Sequence, residues 1–231
     1  MKLYYDFHIH SCLSPCGDEL MTPNNIVNMA KIKGLDAIAI TDHNCACNLP
    51  AVQTVAEQAG LLFLPGIEVQ SKEEVHLLCY FGNMQDALEC GDIFYQSLPD
   101  INNNTEIFGE QLILDAADNV IGSANKLLLQ SVAFSIEEIF ALVVGHHGAV
   151  VPAHINKPSN SLLALLGFIP AVPHFTMLEV ARKYPMPTLK GYRMVHSSDA
   201  HSLEDIAERE EMLLVKDTTL RGIIQAFNAE F

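Results

Sequence analysis

Short apolar runs alternate along the chain with segments whose apolar residues recur at helical spacing. Runs of about four to eight residues rich in Val, Ile and Leu are typical of buried strands in a parallel sheet. Between the first two runs, Thr22 and Pro23 predict the start of a helix and Gly34 predicts its end. This alternation predicts an α/β fold with right-handed crossovers. The strands are predicted at residues 3–7, 36–40, 61–64, 75–81, 149–152, 177–180 and 193–195.

Residues 97–132 interrupt this alternation. Two apolar segments, 111–114 and 126–130, flank a turn sequence at Asp118 and Asn119, so we expect an inserted hairpin. The sequence contains no repeat, low-complexity tract or linker that would mark a domain boundary. The 231 residues are therefore predicted to form a single domain.

Most of the predicted strands carry a histidine or a carboxylate at one end. The motifs, in chain order, are His8-Ile9-His10, Thr41-Asp42-His43, Gly66-Ile67-Glu68, Val75-His76, Ala153-His154 and Ser198-Asp199-Ala200-His201. Two histidines separated by one residue on a strand place both imidazoles on the same face. Imidazoles and carboxylates together bind Zn, Mn or Fe. Any one of these side chains could instead be a structural hydrogen-bonding or helix-capping group, but their repeated placement at strand ends predicts a multinuclear metal site.

Composition narrows the classes of function. Hydrophobic residues make up 49% of the chain, which is enough for a large core. Thirteen basic residues against 28 acidic ones give a net charge of −15, so we expect no long nucleic acid as a partner. Small anionic substrates stay compatible with that charge if metal ions reverse its sign locally. The sequence shows neither a membrane-spanning apolar stretch nor a signal-peptide layout, and we expect a cytoplasmic protein with no membrane partner.

The six cysteines are predicted to be free thiols, because the chain is long and shows no secretory features. Four of them, Cys12, Cys16, Cys45 and Cys47, flank the proposed ligands. Their spacings differ from the C-x2-C pattern of common zinc sites. Of these thiols, Cys16 alone is kept as a competing metal ligand.

The ordered set of motifs resembles the polymerase and histidinol phosphatase (PHP) family, over residues 3–204. This resemblance implies a distorted, TIM-like barrel of seven β/α units with a trinuclear metal centre at its C-terminal rim. Such a position agrees with the rule that active sites of β/α barrels lie on the loops that follow the strands. The motif around His154 departs from the family, because Ile155 stands where relatives have proline.

The resemblance also implies a set of ligands for two to three divalent ions of Zn, Mn or Fe. The first ion would be held by His8, His10, Glu68 and Asp199, the second by the bridging Glu68 with His76 and His154, and the third by His43 and His201 with a ligand from the loop after His10. Relatives have Ser-Asp-Gly in that loop, which this chain lacks. Asp18 is the expected loop ligand, with Glu19 and Cys16 as the competing donors.

The activity implied is hydrolysis of a small phosphorylated substrate (a phosphate monoester, a nucleotide or a short oligonucleotide) by metal-activated water. Asp199 or His201 is the expected proton carrier, and Lys157 and Arg193 are the expected phosphate holders. Two other functions stay open: hydrolysis of a C–N bond in an amide or lactam, and a non-catalytic metal-binding regulatory module. The sequence does not specify an oligomeric state.

Overall fold

A computed structural model describes residues 1–229, and the last two residues of the predicted domain lie outside this range. The strands are β1 Lys2–Ile9, β2 Ala37–Ile40, β3 Leu62–Gln70, β4 His76–Tyr80, β5 Leu112–Leu114, β6 Val120–Ser123, β7 Ala149–Pro152, β8 Met177–Glu179, β9 Arg193–Val195 and β10 Met212–Leu214. The helices are α1 Pro23–Ile32, α2 Leu49–Ala59, α3 Met84–Ser97, α4 Thr105–Phe108, α5 Ile136–Gly145, α6 Leu162–Leu165 and α7 Leu220–Asn228, with a short 3-10 helix at Leu203–Asp205. None of these helices has the length and apolar character needed to cross a membrane.

The main sheet has six strands in the order β10-β1-β2-β3-β4-β7. Strands β1, β2 and β3 are parallel, which confirms the predicted α/β fold. Strand β4 runs antiparallel to both β3 and β7, so a sheet of parallel strands throughout was a wrong expectation. Strands β8 and β9 form a separate parallel pair. The sheet is a curled half-barrel, and a continuous seven-stranded barrel is not observed among the described residues.

The segment between α3 and α5 contains an antiparallel hairpin of β5 and β6. Its second strand begins at Val120, so the prediction of a strand at 126–130 was wrong. The reason is a tight turn in which Asp115 accepts hydrogen bonds from the backbone N–H groups of Ala117 and Asn119, which starts the return strand at once. Residues 126–130 instead pack near the proposed site, where the Asn44 amide donates to two of their carbonyls.

Two apolar clusters support the sheet. The larger one lies among the sheet and the helices α1, α2, α3 and α5. The smaller one contains alternate residues of β1, including Tyr5 and Phe7. It also contains Tyr80 from β4 and Phe227 from α7. Aromatic contacts join its members, with ring centroids 4.4 Å apart for Tyr5 and Phe7 and 5.7 Å apart for Phe7 and Phe227. This cluster forms a rigid base directly beneath the first histidine motif.

Candidate metal centre

His8, in β1, and His10, which follows the strand, lie at a β-bulge. Residues 3, 5 and 7 belong to the smaller apolar cluster, whereas Ile9 belongs to the larger one, so the alternation of faces reverses between them. The pairing of β1 with β2 is irregular between Asp6 and Ile9, as expected of a bulge that redirects side chains. His8 and His10 lie together, with their Nε2 atoms 3.3 Å apart.

Glu68 is the centre of the site. Five imidazole nitrogens lie within 3.4 Å of its buried carboxylate: His8 Nε2 at 3.3 Å, His10 Nε2 at 3.4 Å, His43 Nδ1 at 3.0 Å, His76 Nδ1 at 2.9 Å and His154 Nε2 at 3.1 Å. The sequence-predicted ligands from four separate strand ends therefore meet around one side chain. A carboxylate with two oxygens facing different imidazoles is suited to bridging two cations.

The direction of β4 explains how His76 reaches this cluster. His76 is the first residue of β4, and β4 is antiparallel to β3, so its N-terminal end lies beside the C-terminal end of β3. His154 follows β7 with a φ of 27°, in the left-handed region that β-carbon-bearing residues rarely adopt. Such backbone strain is typical of functional positions held by their surroundings. The strained turn directs the imidazole of His154 to Glu68.

Asp199 and His201 complete the rim on the side of β9. Asp199 Oδ1 lies 3.3 Å from His8 Nε2 and 3.4 Å from His10 Nε2. Its other oxygen, Oδ2, accepts a hydrogen bond from Lys157 Nζ at 2.6 Å. His201 donates from Nδ1 to the Asp199 backbone carbonyl at 2.7 Å, which leaves its Nε2 for another partner. The predicted placement of Asp199, His201 and Lys157 beside the histidine cluster is therefore observed.

The side chains of two predicted residues make their contacts outside the cluster. The Arg193 guanidinium donates to the carbonyls of Ala226 and Phe227 near the end of α7, and Arg193 is not among the residues that line the cavity beside the cluster. The reason is that the start of β9 lies at the opposite end of the strand from Asp199. Asp18 is exposed, and its Oδ1 accepts a hydrogen bond from the Leu20 N–H at 2.7 Å. The Asp18 carboxylate is thus engaged within its own loop.

Sequence reasoning missed the buried carboxylate of Glu179, the last residue of β8. Its Oε2 accepts from His8 Nδ1 at 3.0 Å and from the backbone N–H of His154 at 2.9 Å. A carboxylate that holds the Nδ1–H of a ligating histidine fixes its tautomer and orients its Nε2. Glu179 ends a strand like the predicted ligands, which is the feature by which the sequence might have revealed it.

We expect Glu179→Gln to weaken metal binding about 10-fold to 100-fold, because a neutral amide orients His8 less strongly than a carboxylate does. Zinc titration in competition with a chromophoric chelator measures the affinity. Glu137→Gln, an exposed change on α5, is the matched control and should leave the affinity unchanged. Wild-type affinity in Glu179→Gln would show that this contact does not position His8.

A second buried carboxylate supports the other histidine of β1. Asp42 accepts hydrogen bonds from the side chains of Ser11 at 2.6 Å and Ser14 at 2.7 Å. The Ser14 hydroxyl also contacts Nδ1 of His10 at 2.9 Å. The sequence placed Asp42 within a motif, but the structure shows that it acts on His10 through Ser14.

The protonation of the cluster reflects its crowding. Burial opposes ionisation of Glu68, yet the imidazoles of His76 and His8 hold the pKa of its carboxyl well below the usual range. Burial lowers the pKa of His76 to about 4. For His43 the effect of burial is outweighed by the Glu68 carboxylate, which raises the pKa of His43 to about 10. At neutral pH the His76 imidazole is therefore uncharged, whereas His43 carries a positive charge.

This donor set fits divalent cations. His8 and His10 each direct Nδ1 to another side chain, and their Nε2 atoms lie 3.3 Å apart, both within 3.4 Å of Glu68. A cation between these three side chains would be bound by both imidazoles and by the carboxylate. Two groups, His8-His10-Glu68 and His43-Glu68-His76, have donor atoms within 4.8 Å of one another. Imidazole and carboxylate donors suit Zn, Mn or Fe.

A family model described as the PHP domain matches residues 6–164, more than half of the chain. The chain belongs to the PHP domain family. All of the histidine motifs except the last lie within the matched region. The resemblance of the sequence motifs to this family is thereby confirmed.

Two curated relatives match part of this PHP chain. The 5'-3' exoribonuclease Rnm of Salmonella typhimurium is 34% identical over 74 residues, which is 31% of this chain and 24% of the relative. The 3',5'-nucleoside bisphosphate phosphatase of Chromobacterium violaceum is 32% identical over 76 residues, which is 32% of this chain and 26% of the relative. The chain thus spans about a quarter of the length of these relatives.

Among solved structures, endonuclease Q in complex with a 27-mer duplex superimposes with a TM-score of 0.65 and 22% identity, over 99% of this chain and 57% of that one. That duplex carries an abasic lesion at the active site of endonuclease Q. The same fold therefore accommodates a long nucleic acid, and the expectation that the acidic charge excludes one was wrong. Net charge sums the whole surface, whereas a phosphate responds to the local field, whose sign bound cations would reverse.

Proposed function

We propose that this PHP chain is a metal-dependent phosphoesterase. The observation that carries the proposal is the Glu68 carboxylate with five imidazole nitrogens within 3.4 Å and Asp199 beside them. No such concentration of buried donors is needed to stabilise a fold, since buried charges are costly unless they are paired. The relatives, named as an exoribonuclease and a bisphosphate phosphatase, support a phosphoric ester as the substrate.

The ligand assignment supported best is two to three divalent ions of Zn, Mn or Fe. His8, His10, Glu68 and Asp199 would hold the first ion, Glu68 with His76 and His154 the second, and His43 with His201 the third. When bound, such ions lower the pKa of water and neutralise charge on phosphoryl oxygens. Of the donors for the first two ions, His8, His10, Glu68 and His154 are buried, and His76 and Asp199 are partly buried.

The chain's own residues have to position the ester and move a proton. A cavity of about 540 Å³ adjoins the cluster and is lined by His154, Lys157, Asp199 and His201. Lys157 is placed to bind a phosphoryl oxygen in exchange for its contact with Asp199. Asp199 or His201 would then pass a proton to the leaving oxygen, since both reach the cavity and the cluster at once.

The fold at the rim is proposed to be a distorted seven-stranded barrel within a single domain. Support comes from hydrogen bonds that join the end of β1 to the segment after β9, from the Ala200 N–H to the His8 carbonyl at 3.2 Å and from the His10 N–H to the Ala200 carbonyl at 2.9 Å. On the other side, the Ile155 N–H donates to the Glu179 carbonyl at 2.9 Å. These contacts link the β8–β9 pair to both ends of the strand series β1-β2-β3-β4-β7.

Hydrolysis after metal removal and replacement tests the function. The protein is stripped with a chelator and assayed with Mn, Fe or Zn on a nucleoside 3',5'-bisphosphate, a 5'-phosphorylated RNA, an abasic DNA duplex and a lactam. We expect metal-dependent turnover of at least one phosphoester and none in the stripped protein. Asp199→Ala should lower kcat by about 1,000-fold, or about 4 kcal/mol of barrier.

Asp100→Ala, an exposed change remote from the cavity, is the control and should keep full activity. Lactam hydrolysis without phosphoester hydrolysis would replace the proposal with a C–N hydrolase. Metal binding with no turnover on any substrate would favour a regulatory module.

A further inference from the structure

The loop after His10 brings a thiol to the metal cluster. Cys16 forms a group with His10, His43 and His201 in which the donor atoms all lie within 4.8 Å of one another. No carboxylate takes part in this group. The other two donor groups of the described chain are built on Glu68, so this one is chemically different.

The backbone of the loop fixes Cys16 in that position. The Gly17 N–H donates to the Ser14 carbonyl at 2.8 Å, and the Asp18 N–H donates to the His201 carbonyl at 2.8 Å. A β-carbon at Gly17 would lie 2.6 Å from the Ser11 carbonyl oxygen, so this tight approach requires glycine. Cys16 is thereby held next to the segment that carries His201.

The contacts of the three imidazoles around Cys16 show which of them are available to a third cation. His10 presents Nε2 to His8 at 3.3 Å, so it belongs to the first cation position. His201 uses Nδ1 for the Asp199 carbonyl and keeps Nε2 free. His43 presents Nδ1 to Glu68 at 3.0 Å, which leaves its Nε2 as a second donor. Cys16, His43 and His201 are therefore the donors available to a third cation.

The two carboxylates that compete for this role are not placed there. Asp18 Oδ1 accepts from the Leu20 N–H at 2.7 Å. Neither Asp18 nor Glu19 belongs to any of the donor groups formed by the described residues, whereas Cys16 does. The geometry of the loop therefore favours Cys16 over the two carboxylates.

We propose that the Cys16 thiolate, together with His43 and His201, holds a third divalent cation that prefers soft ligands, namely zinc or ferrous iron. This inference rests on the proposed function and defines the metal chemistry of that site. A sulfur donor favours zinc or iron over manganese, whereas a carboxylate in its place would favour manganese. Three protein ligands also leave a coordination position for water or substrate, as in catalytic zinc sites.

Cobalt reconstitution tests the thiolate directly, independently of activity. Wild-type protein loaded with Co(II) should show a thiolate-to-cobalt charge-transfer band in the near ultraviolet. Cys16→Ser should lose the band and about one bound metal equivalent by elemental analysis. Cys47→Ser, an exposed thiol outside the group, and Asp18→Asn should both keep the band and the full metal count.

A further variant separates the thiol from folding effects. Cys16→Asp supplies a hard donor at the same position, so it should recover the metal equivalent without the band and should bind manganese better than wild type does. A band that persists in Cys16→Ser, or a metal equivalent lost in Asp18→Asn alone, overturns the proposal. If the metal centre hydrolyses phosphoesters but has no thiolate ligand, the proposed function stands and the Cys16 assignment is wrong. If the wild-type protein binds no metal, both proposals are wrong.

Discussion

Glu68→Gln is expected to reduce metal-dependent hydrolysis by about 1,000-fold or more, equivalent to about 4 kcal/mol of transition-state stabilisation. Glutamine has nearly the same shape as glutamate but carries no charge. Its amide nitrogen cannot accept, so it cannot replace a carboxylate whose two oxygens face five imidazoles. Steady-state kinetics with Zn or Mn in excess measures the loss.

The same substitution should also remove most of the stabilisation that metal provides. A ligand that binds only the folded state raises the free energy of unfolding by about 2.7 kcal/mol when its free concentration is 100 times its Kd. Wild type should therefore melt at a higher temperature with metal than with chelator, and Glu68→Gln should show little difference. Glu57→Gln, an exposed change on α2, serves as the control. A variant at position 68 that kept wild-type metal content and turnover would contradict the proposed bridging role.

Phe7→Ala should destabilise the fold by about 3–5 kcal/mol, the typical cost of truncating a buried phenylalanine. Phe7 is 1% exposed and packs among Tyr5, Tyr80 and Phe227 under the histidine cluster. Truncation removes apolar contacts and leaves a cavity in rigid surroundings. Because domains are stable by only about 5–15 kcal/mol, this loss is a large fraction of the total. Urea unfolding of the metal-free protein measures it.

Two further variants serve as controls for the loss of stability in Phe7→Ala. Phe168→Ala, at a side chain that is 59% exposed, should change the unfolding free energy by less than about 0.5 kcal/mol. Phe7→Leu retains much of the volume and should cost less than Phe7→Ala. A loss below about 1 kcal/mol in Phe7→Ala would mean that the aromatic cluster does not carry the base of the site.

The sequence predicted which side chains meet around Glu68 because their placement depends on residue type and spacing. His8-x-His10 and Glu68 follow apolar runs, and strand ends of a sheet meet in space whichever helices connect them. The direction in which each strand runs could not be predicted from residue type and spacing. His76 is the first residue of its strand, and its place in the cluster follows from the antiparallel pairing of β4, which periodicity alone cannot reveal.

What the sequence determined by itself is the α/β class, the family and the imidazole and carboxylate donors, since these follow from local patterns along the chain. Only the tertiary structure decided the bulge in β1 beside His8, the Glu179 carboxylate behind His8, and the grouping of Cys16 with His43 and His201. Each of these depends on atoms far apart in the chain, or on the conformation of one tight loop. Side-chain direction at such places is set by packing and backbone hydrogen bonds, which a one-dimensional pattern does not contain.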